Sequence, residues 1–348
     1  MKVLIVGDFH SNLHERPMVK SFEMLGHEVE TFEWYSYFNK GIRSRLQNRF
    51  MFGPVVNKLN KDFVSLVKKL KPDLIFVYRQ THIYPSSLKQ VLNYCKFIFG
   101  YNNDDPFSEK YSKYFWRHFR KSLSYYDHIY AYREKNIEDY EKVGVSNTSI
   151  LRSFYINDRS YPVPIDKIPK KYITDVVFVG HFEPDGRDQI CLKLAEKFNF
   201  KLYGPNWHKS AYVEDIARLT GQSSICSLDA DYNLALSGAK IAIVFLSKLN
   251  NDHYTRRCFE IPAAKTFMLC EDSKFMRENL FEQGTEADYF KNEEDLIKKI
   301  ELYLNNEDLR SKCVDNAYER LIRGKHEVMD RVKTIVSDYD ERVKNERY

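Results

Sequence analysis

Short apolar runs, each followed by a polar loop and then a helical stretch, recur along this 348-residue chain on both sides of a proline-rich break. In the first half they occupy 3–7, 74–78, 97–101 and 128–132, with 27–32 a further strand; in the second, 176–180, 201–204, 241–245 and 266–270. Runs of this length with little polar alternation are the mark of strands buried on both faces, as in a parallel sheet. Strands alternating with helices imply a doubly wound α/β fold. Pro162, Pro164 and Pro169 interrupt the pattern, and each is poor in a helix interior or a central strand. A chain of this length also exceeds what one ordinary core serves. The expectation is two Rossmann-like domains, 1–160 and 170–325, facing a cleft and joined by a linker around 161–169.

Composition narrows the class. With 43% hydrophobic and 30% charged residues the chain is globular, not disordered. A net charge of +5, without any RNA- or DNA-binding motif, argues against a nucleic-acid partner. Residues 1–8 read directly as a buried strand and loop, so no secretory signal is expected, and no stretch has the length of a membrane span. The six cysteines are scattered without a Cys-x-x-Cys pair, which suits reduced thiols in the cytoplasm.

In open α/β sheets ligands bind beyond the carboxyl ends of the strands, so the loops there carry the chemistry. The segment 252–269 is the most informative. Asp252 and Glu260 stand eight positions apart with Arg256 and Arg257 between them, ahead of the apolar run Phe267-Met268-Leu269. A carboxylate at a helix start can accept two hydrogen bonds from a ribose diol, and a guanidinium can grip a diphosphate with its fork of donors. Surface caps and ion pairs are the plainer alternative for the same residues. The loop Gly180-His181-Phe182-Glu183-Pro184-Asp185-Gly186-Arg187 reads as a diphosphate cradle, with Gly180 and Gly186 permitting close approach and Arg187 near a helix N-terminus. It has neither the Gly-x-Gly-x-x-Gly spacing of a dinucleotide fold nor the Gly-Lys-Ser/Thr of an ATP loop. Tyr203 and Gly204 open a further loop, where Trp207 either stacks on a base or anchors the turn.

These residues, taken in order with the later Leu280-Phe281-Glu282-Gln283-Gly284-Thr285-Glu286-Ala287, resemble bacterial glycosyltransferases of the CgeB-like, group-1 type. The resemblance is clearest over 175–325 and continues through Asn103-Asp104-Asp105-Pro106-Phe107. It implies the two-domain GT-B architecture, a nucleoside-diphosphate sugar held by the second domain, an acceptor taken by the first, and no metal or other cofactor. It also implies that 326–348 forms a helix packing back onto the first domain. Many group-1 enzymes carry Glu-x7-Glu where this chain has Asp252, so the ribose-binding role transfers to Glu260 and leaves Asp252 open.

Metal-independent transfer requires another cation on the departing diphosphate, for which Arg187 and Arg257 are the candidates, with His181 as a donor. Inversion would require a base on the acceptor hydroxyl, and His10, Asp104 and Asp105 follow strands of the first half; His82 occupies a comparable place. Between Glu33 and Asp62 no acid occurs, while Lys40, Arg43, Arg45 and Arg49 alternate with aromatics. Such a segment can rest on an anionic membrane, at its inner face, and meet a lipid-linked acceptor. The expected function is sugar transfer to an acceptor hydroxyl in bacterial surface polysaccharide assembly. A nucleotide-sugar epimerase of the same fold, or a non-catalytic nucleotide-sugar binder, is the alternative.

Overall fold

The computed structural model describes residues 1–345. The chain divides into two compact units: residues from Met1 to Ser153 together with the helix Val328–Asn345, and Phe154–Glu327. The expected closing segment 326–348 ends in 346–348, which lie outside the described residues.

The first unit is built on a six-stranded parallel sheet of β1 (Lys2–Gly7), β2 (Glu28–Glu33), β3 (Leu74–Tyr78), β4 (Phe97–Asn102), β5 (His128–Ala131) and β6 (Thr148–Ile150), in the order β2-β1-β3-β4-β5-β6. β3 and β4 are buried along their whole length, as unbroken apolar runs in a two-sided sheet must be. The helix Val328–Asn345 packs on the helix Glu15–Met24. It buries Val332, Ile335 and Tyr339, and its Asp338 accepts a hydrogen bond from Tyr130 Oη at 2.6 Å.

The second unit carries a five-stranded parallel sheet of β7 (Thr174–Val179), β8 (Phe200–Tyr203), β9 (Ala239–Val244), β10 (Phe267–Glu271) and β11 (Asp288–Phe290), in the order β11-β10-β9-β7-β8. Each sheet reverses its winding beside its first strand, between β1 and β3 in one and between β7 and β9 in the other. At such a reversal the two neighbouring loops part and leave a crevice at the carboxyl ends. The loops after β1, β3, β7 and β9 are therefore where a ligand fits.

Two details depart from the sequence reading. β6 and β11, three residues each, are edge strands too short to stand out as apolar runs. The division between the units falls at 153/154 and 327/328 instead of in the proline-rich stretch. That stretch is held within the second unit: Tyr161 exchanges hydrogen bonds with the Asn233 side chain at 3.2 and 2.8 Å, and the prolines introduce two short 3-10 turns.

Gly204 has φ +148°, and a Cβ there would lie 1.8 Å from the Gly180 carbonyl oxygen. Gly221 has φ +64° with open space around it. Gly204→Ala is expected to destabilise by about 3 kcal/mol or more, through backbone collision, whereas Gly221→Ala costs about 1 kcal/mol of conformational strain alone. Denaturant melts of the two variants check the contrast; equal losses would contradict the packing described.

Candidate functional site

In the second unit the loops after β7 and β8 are laced to one another. Gly180 donates its N–H to the Tyr203 carbonyl at 2.8 Å and accepts from Trp207 Nε1 at 2.8 Å, while Phe182 N–H reaches the Pro205 carbonyl at 3.1 Å. Gly180 and Gly204 thus serve the approach of two loops, with their backbones already engaged. Trp207, 1% exposed, is the anchor of the turn and not a base platform. Tyr203 is buried against Tyr172, ring centroids 6.0 Å apart.

Arg187 opens the helix Arg187–Lys197 as expected, but its guanidinium turns inward. It is 2% exposed, donates from Nε and Nη2 to the two Asp185 carboxylate oxygens at 2.8 and 2.7 Å, and reaches the carbonyls of His181 and Leu246 at 3.2 and 3.3 Å. Glu183 lies 3.5 Å away and is also bonded to His181 Nε2 at 2.8 Å. Burial works to raise the Glu183 carboxyl, but the His181 hydrogen bond and the Arg187 charge outweigh it and hold it below its ordinary value. The expectation that Arg187 grips a diphosphate is revised accordingly: with its donors committed to the loop's own oxygens, this arginine shapes the loop.

Glu260 and Arg257 sit differently. The helix Arg257–Ala263 begins just past the loop that follows β9, which places both residues at the reversal of the sheet. Glu260 is 3% exposed, and Tyr232 Oη donates to its Oε2 at 2.5 Å. Burial, then the Glu260 charge, push the Tyr232 phenol well above its ordinary range, so it stays a donor to this carboxylate. Arg257 is half-buried, and its Nε is buried without a hydrogen-bond partner. Asp252 lies back on the loop, where its N–H closes a turn on the Ser247 carbonyl at 3.0 Å. Tyr232 was not singled out in the sequence; it stands 28 positions from Glu260 and no local pattern joins them.

In the first unit the loop after β1 holds a compact polar cluster. Asp8 Oδ1 accepts from His10 Nδ1 at 2.6 Å and from the His10 N–H at 3.1 Å. The hydrogen bond from Asp8 raises the His10 imidazole above its ordinary value. Arg79, following β3 with φ +55°, brings Nη1 to 3.7 Å from Asp8 Oδ2 and Nε to 2.8 Å from Asp104 Oδ2. His10 and Asp104 are thus drawn to the same sheet reversal. Asp105 is not. It is fully buried, accepts from the Phe107 N–H at 2.9 Å and Asn136 Nδ2 at 2.8 Å, and closes the turn after β4, so it is withdrawn as a base. His82 is withdrawn as well: it stacks on Trp34 at 4.0 Å, donates from Nε2 to the Asn48 carbonyl, and burial pushes it down to about 3.

Below this cluster lies Glu15, 1% exposed at the start of the helix Glu15–Met24. Its Oε1 accepts the N–H groups of Asp8 (3.0 Å) and Phe9 (3.4 Å), and it fills the space a side chain at position 7 would need. Among the described residues no group of three or more His, Cys, Asp or Glu side chains is placed to hold a metal ion.

Residues 187–337 match the family described as glycosyl transferase-like. No curated protein matches the chain in sequence. Among solved structures, sucrose-phosphate synthase from Thermosynechococcus elongatus aligns with a TM-score of 0.69 at 12% identity, over 99% of this chain and 100% of its own. Anabaena HepE, solved with UDP and glucose, gives 0.69 at 12% over 98% and 100%. A glycosyltransferase from Rickettsia africae gives 0.69 at 13% over 99% and 99%. At such identities the likeness speaks for the fold, which is GT-B: two Rossmann-like domains. The family match is confined to residues 187–337, and the same fold is found in a structure described as a putative UDP-N-acetylglucosamine 2-epimerase from Listeria monocytogenes, which gives 0.64 at 14% over 99% of this chain and 97% of its own.

Burial, then the Asp8 charge, push the Glu15 carboxyl up to about 7 from an ordinary 4.5. The folded chain therefore holds this proton more tightly than the unfolded one, and its stability falls as pH rises from 4.5 towards 7. Glu15→Gln keeps an acceptor for the two N–H groups and removes the ionisation. It is expected to exceed the parent by on the order of 3 kcal/mol at pH 8 and to match it near pH 4. Thermal melts across that range check this; a difference independent of pH would contradict it.

Proposed function

We propose that this chain transfers a sugar from a nucleoside-diphosphate donor, bound by the second unit, to an acceptor hydroxyl taken by the first, in assembly of a bacterial surface glycan. The observation that carries the reading is the Glu260 carboxylate, braced by Tyr232 beside the half-buried Arg257 at the sheet reversal. One Glu260 oxygen is already occupied; the other is suited to a ribose diol. Arg257 supplies positive charge where the diphosphate departs, a task a metal performs in other transferases, so no metal is required. His10 is the proposed base: its Nδ1 bond to Asp8 leaves Nε2 to take a hydroxyl proton. Asp104, paired with Arg79, orients the loop.

Peripheral contact with an anionic membrane is part of the proposal. The helix Ile42–Phe50 presents Ile42, Leu46 and Phe50 along one stripe, all exposed, with Phe52 61% exposed beyond it. Arg43, Arg45 and Arg49 flank that stripe and are exposed too. The far end of the helix is tied down: His82 holds the Asn48 carbonyl, and Arg117 and His118 hold that of Met51. Anchored at one end, with apolar side chains outward and cations on both sides, it fits a lipid surface. No helix among the described residues is long and apolar enough to cross a membrane.

Glu260→Ala and Arg257→Ala are each expected to weaken nucleoside-diphosphate binding by about two orders of magnitude with the melting temperature retained. His10→Gln should abolish turnover while donor binding persists. A thermal-shift screen of UDP, GDP, dTDP and CMP, followed by titration of the best ligand, checks the set. Undiminished binding in both second-unit variants would refute the donor site, and an isomerised donor without glycan product would point to an epimerase instead.

Replacing Ile42, Leu46 and Phe52 with Ser together should abolish sedimentation with phosphatidylglycerol vesicles and leave the melting temperature unchanged. Equal sedimentation of the parent with neutral phosphatidylcholine vesicles would contradict the role given to the arginines.

A further inference from the structure

Tyr232 carries a guanidinium on its ring. Arg159, early in the second unit, places Cζ 4.5 Å from the ring centroid, while the hydroxyl of the same tyrosine is 2.5 Å from Glu260 Oε2. Arg159 thus lies within one aromatic ring of the carboxylate assigned to the ribose. Its side chain is half-buried, and its Nε is buried without a hydrogen-bond partner, as is the Nε of Arg257. Neither arginine has an ion-pair partner among the described residues. Both charges are felt at the Tyr232 hydroxyl, where they oppose the effect of Glu260. Two guanidinium groups and one carboxylate, already bonded to a phenol, leave this place with an excess of positive charge.

Contrast with Arg187 gives the observation its force. In the same unit, that arginine is surrounded by Asp185, Glu183 and two carbonyls, the usual fate of a buried cation. Half-burying a guanidinium without such partners costs desolvation that packing on a ring returns only in part. A neutral sugar would not offset it. A diphosphate would, because it brings two negative charges and an array of oxygens that guanidinium forks engage bidentately.

We infer that Arg159 is a second diphosphate ligand of the donor site, acting with Arg257 beside the Glu260–Tyr232 pair. The inference rests on the donor-site reading above and extends it to a residue outside the segment that matches the glycosyl transferase-like family. Arg159 meets the phosphates and Glu260 the ribose, so the two can be told apart by the ligand used.

The test is calorimetric titration of the full-length chain with UDP and GDP, and ligand-observed NMR titration with uridine and guanosine, for the parent, Arg159→Gln and Arg159→Lys. The parent should bind one diphosphate and its nucleoside. Arg159→Gln should lose about tenfold or more for the diphosphate with nucleoside affinity unchanged, and Arg159→Lys, which keeps the charge but not the fork, should fall between. Should the glutamine variant fail to fold, a lysine variant weakened for the diphosphate alone still supports the assignment. Diphosphate binding equal to the parent in both variants overturns it and leaves the donor site standing. Parallel loss of nucleoside and diphosphate overturns it too, because Arg159 would then only support the pocket. A parent that binds neither diphosphate removes the donor reading, and the inference with it.

Discussion

Every strand pairing among the described residues is parallel, and that one constraint arranges the rest. A parallel neighbour can be reached only by carrying the chain back across a face of the sheet, so all loops that leave carboxyl ends gather on one edge. His10 and Arg79 come from loops 69 residues apart in sequence and share an edge because β1 and β3 are neighbours. In the second unit the same rule sets the loop after β7 beside the one after β9, and Arg187 links them through the Leu246 carbonyl. The chemistry is assembled by topology before any single contact fixes it.

Within that frame the two halves treat charge differently. The first unit neutralises its cluster internally: Asp8 answers His10 and Arg79, and Asp104 answers Arg79. The second unit neutralises Arg187 fully and leaves Arg257 without an acidic partner among the described residues. Low dielectric makes such a choice consequential, because an unanswered buried charge interacts strongly with whatever anion arrives.

How much of this could be read from the residues differs by level. The central strands were visible because both their faces are buried, so β3 and β4 contain almost nothing polar. Thr148-Ser149-Ile150 of β6 was invisible for the opposite reason: an edge strand half open to solvent has no need of an apolar run. Glu260 and Arg257 were legible from their spacing ahead of a strand. The inward turn of Arg187 had a signal, acids two and four positions earlier, but only the fold decides whether such acids face the guanidinium or water. Asp104 and Asp105 show the same limit, since adjacent residues point to opposite sides and sequence does not say which side is the interior. Tyr232 and Arg159 reach Glu260 only through tertiary packing.

The last helix carries a consequence for how the molecule is made. Residues 328–345 complete a unit whose sheet is finished by residue 150, and Tyr339 stacks edge-on against Phe97 at 5.7 Å. On the ribosome this sheet emerges before the second unit, yet its covering helix is translated only after that entire intervening unit. The second unit can therefore mature first, while the sheet of the first waits for its covering helix.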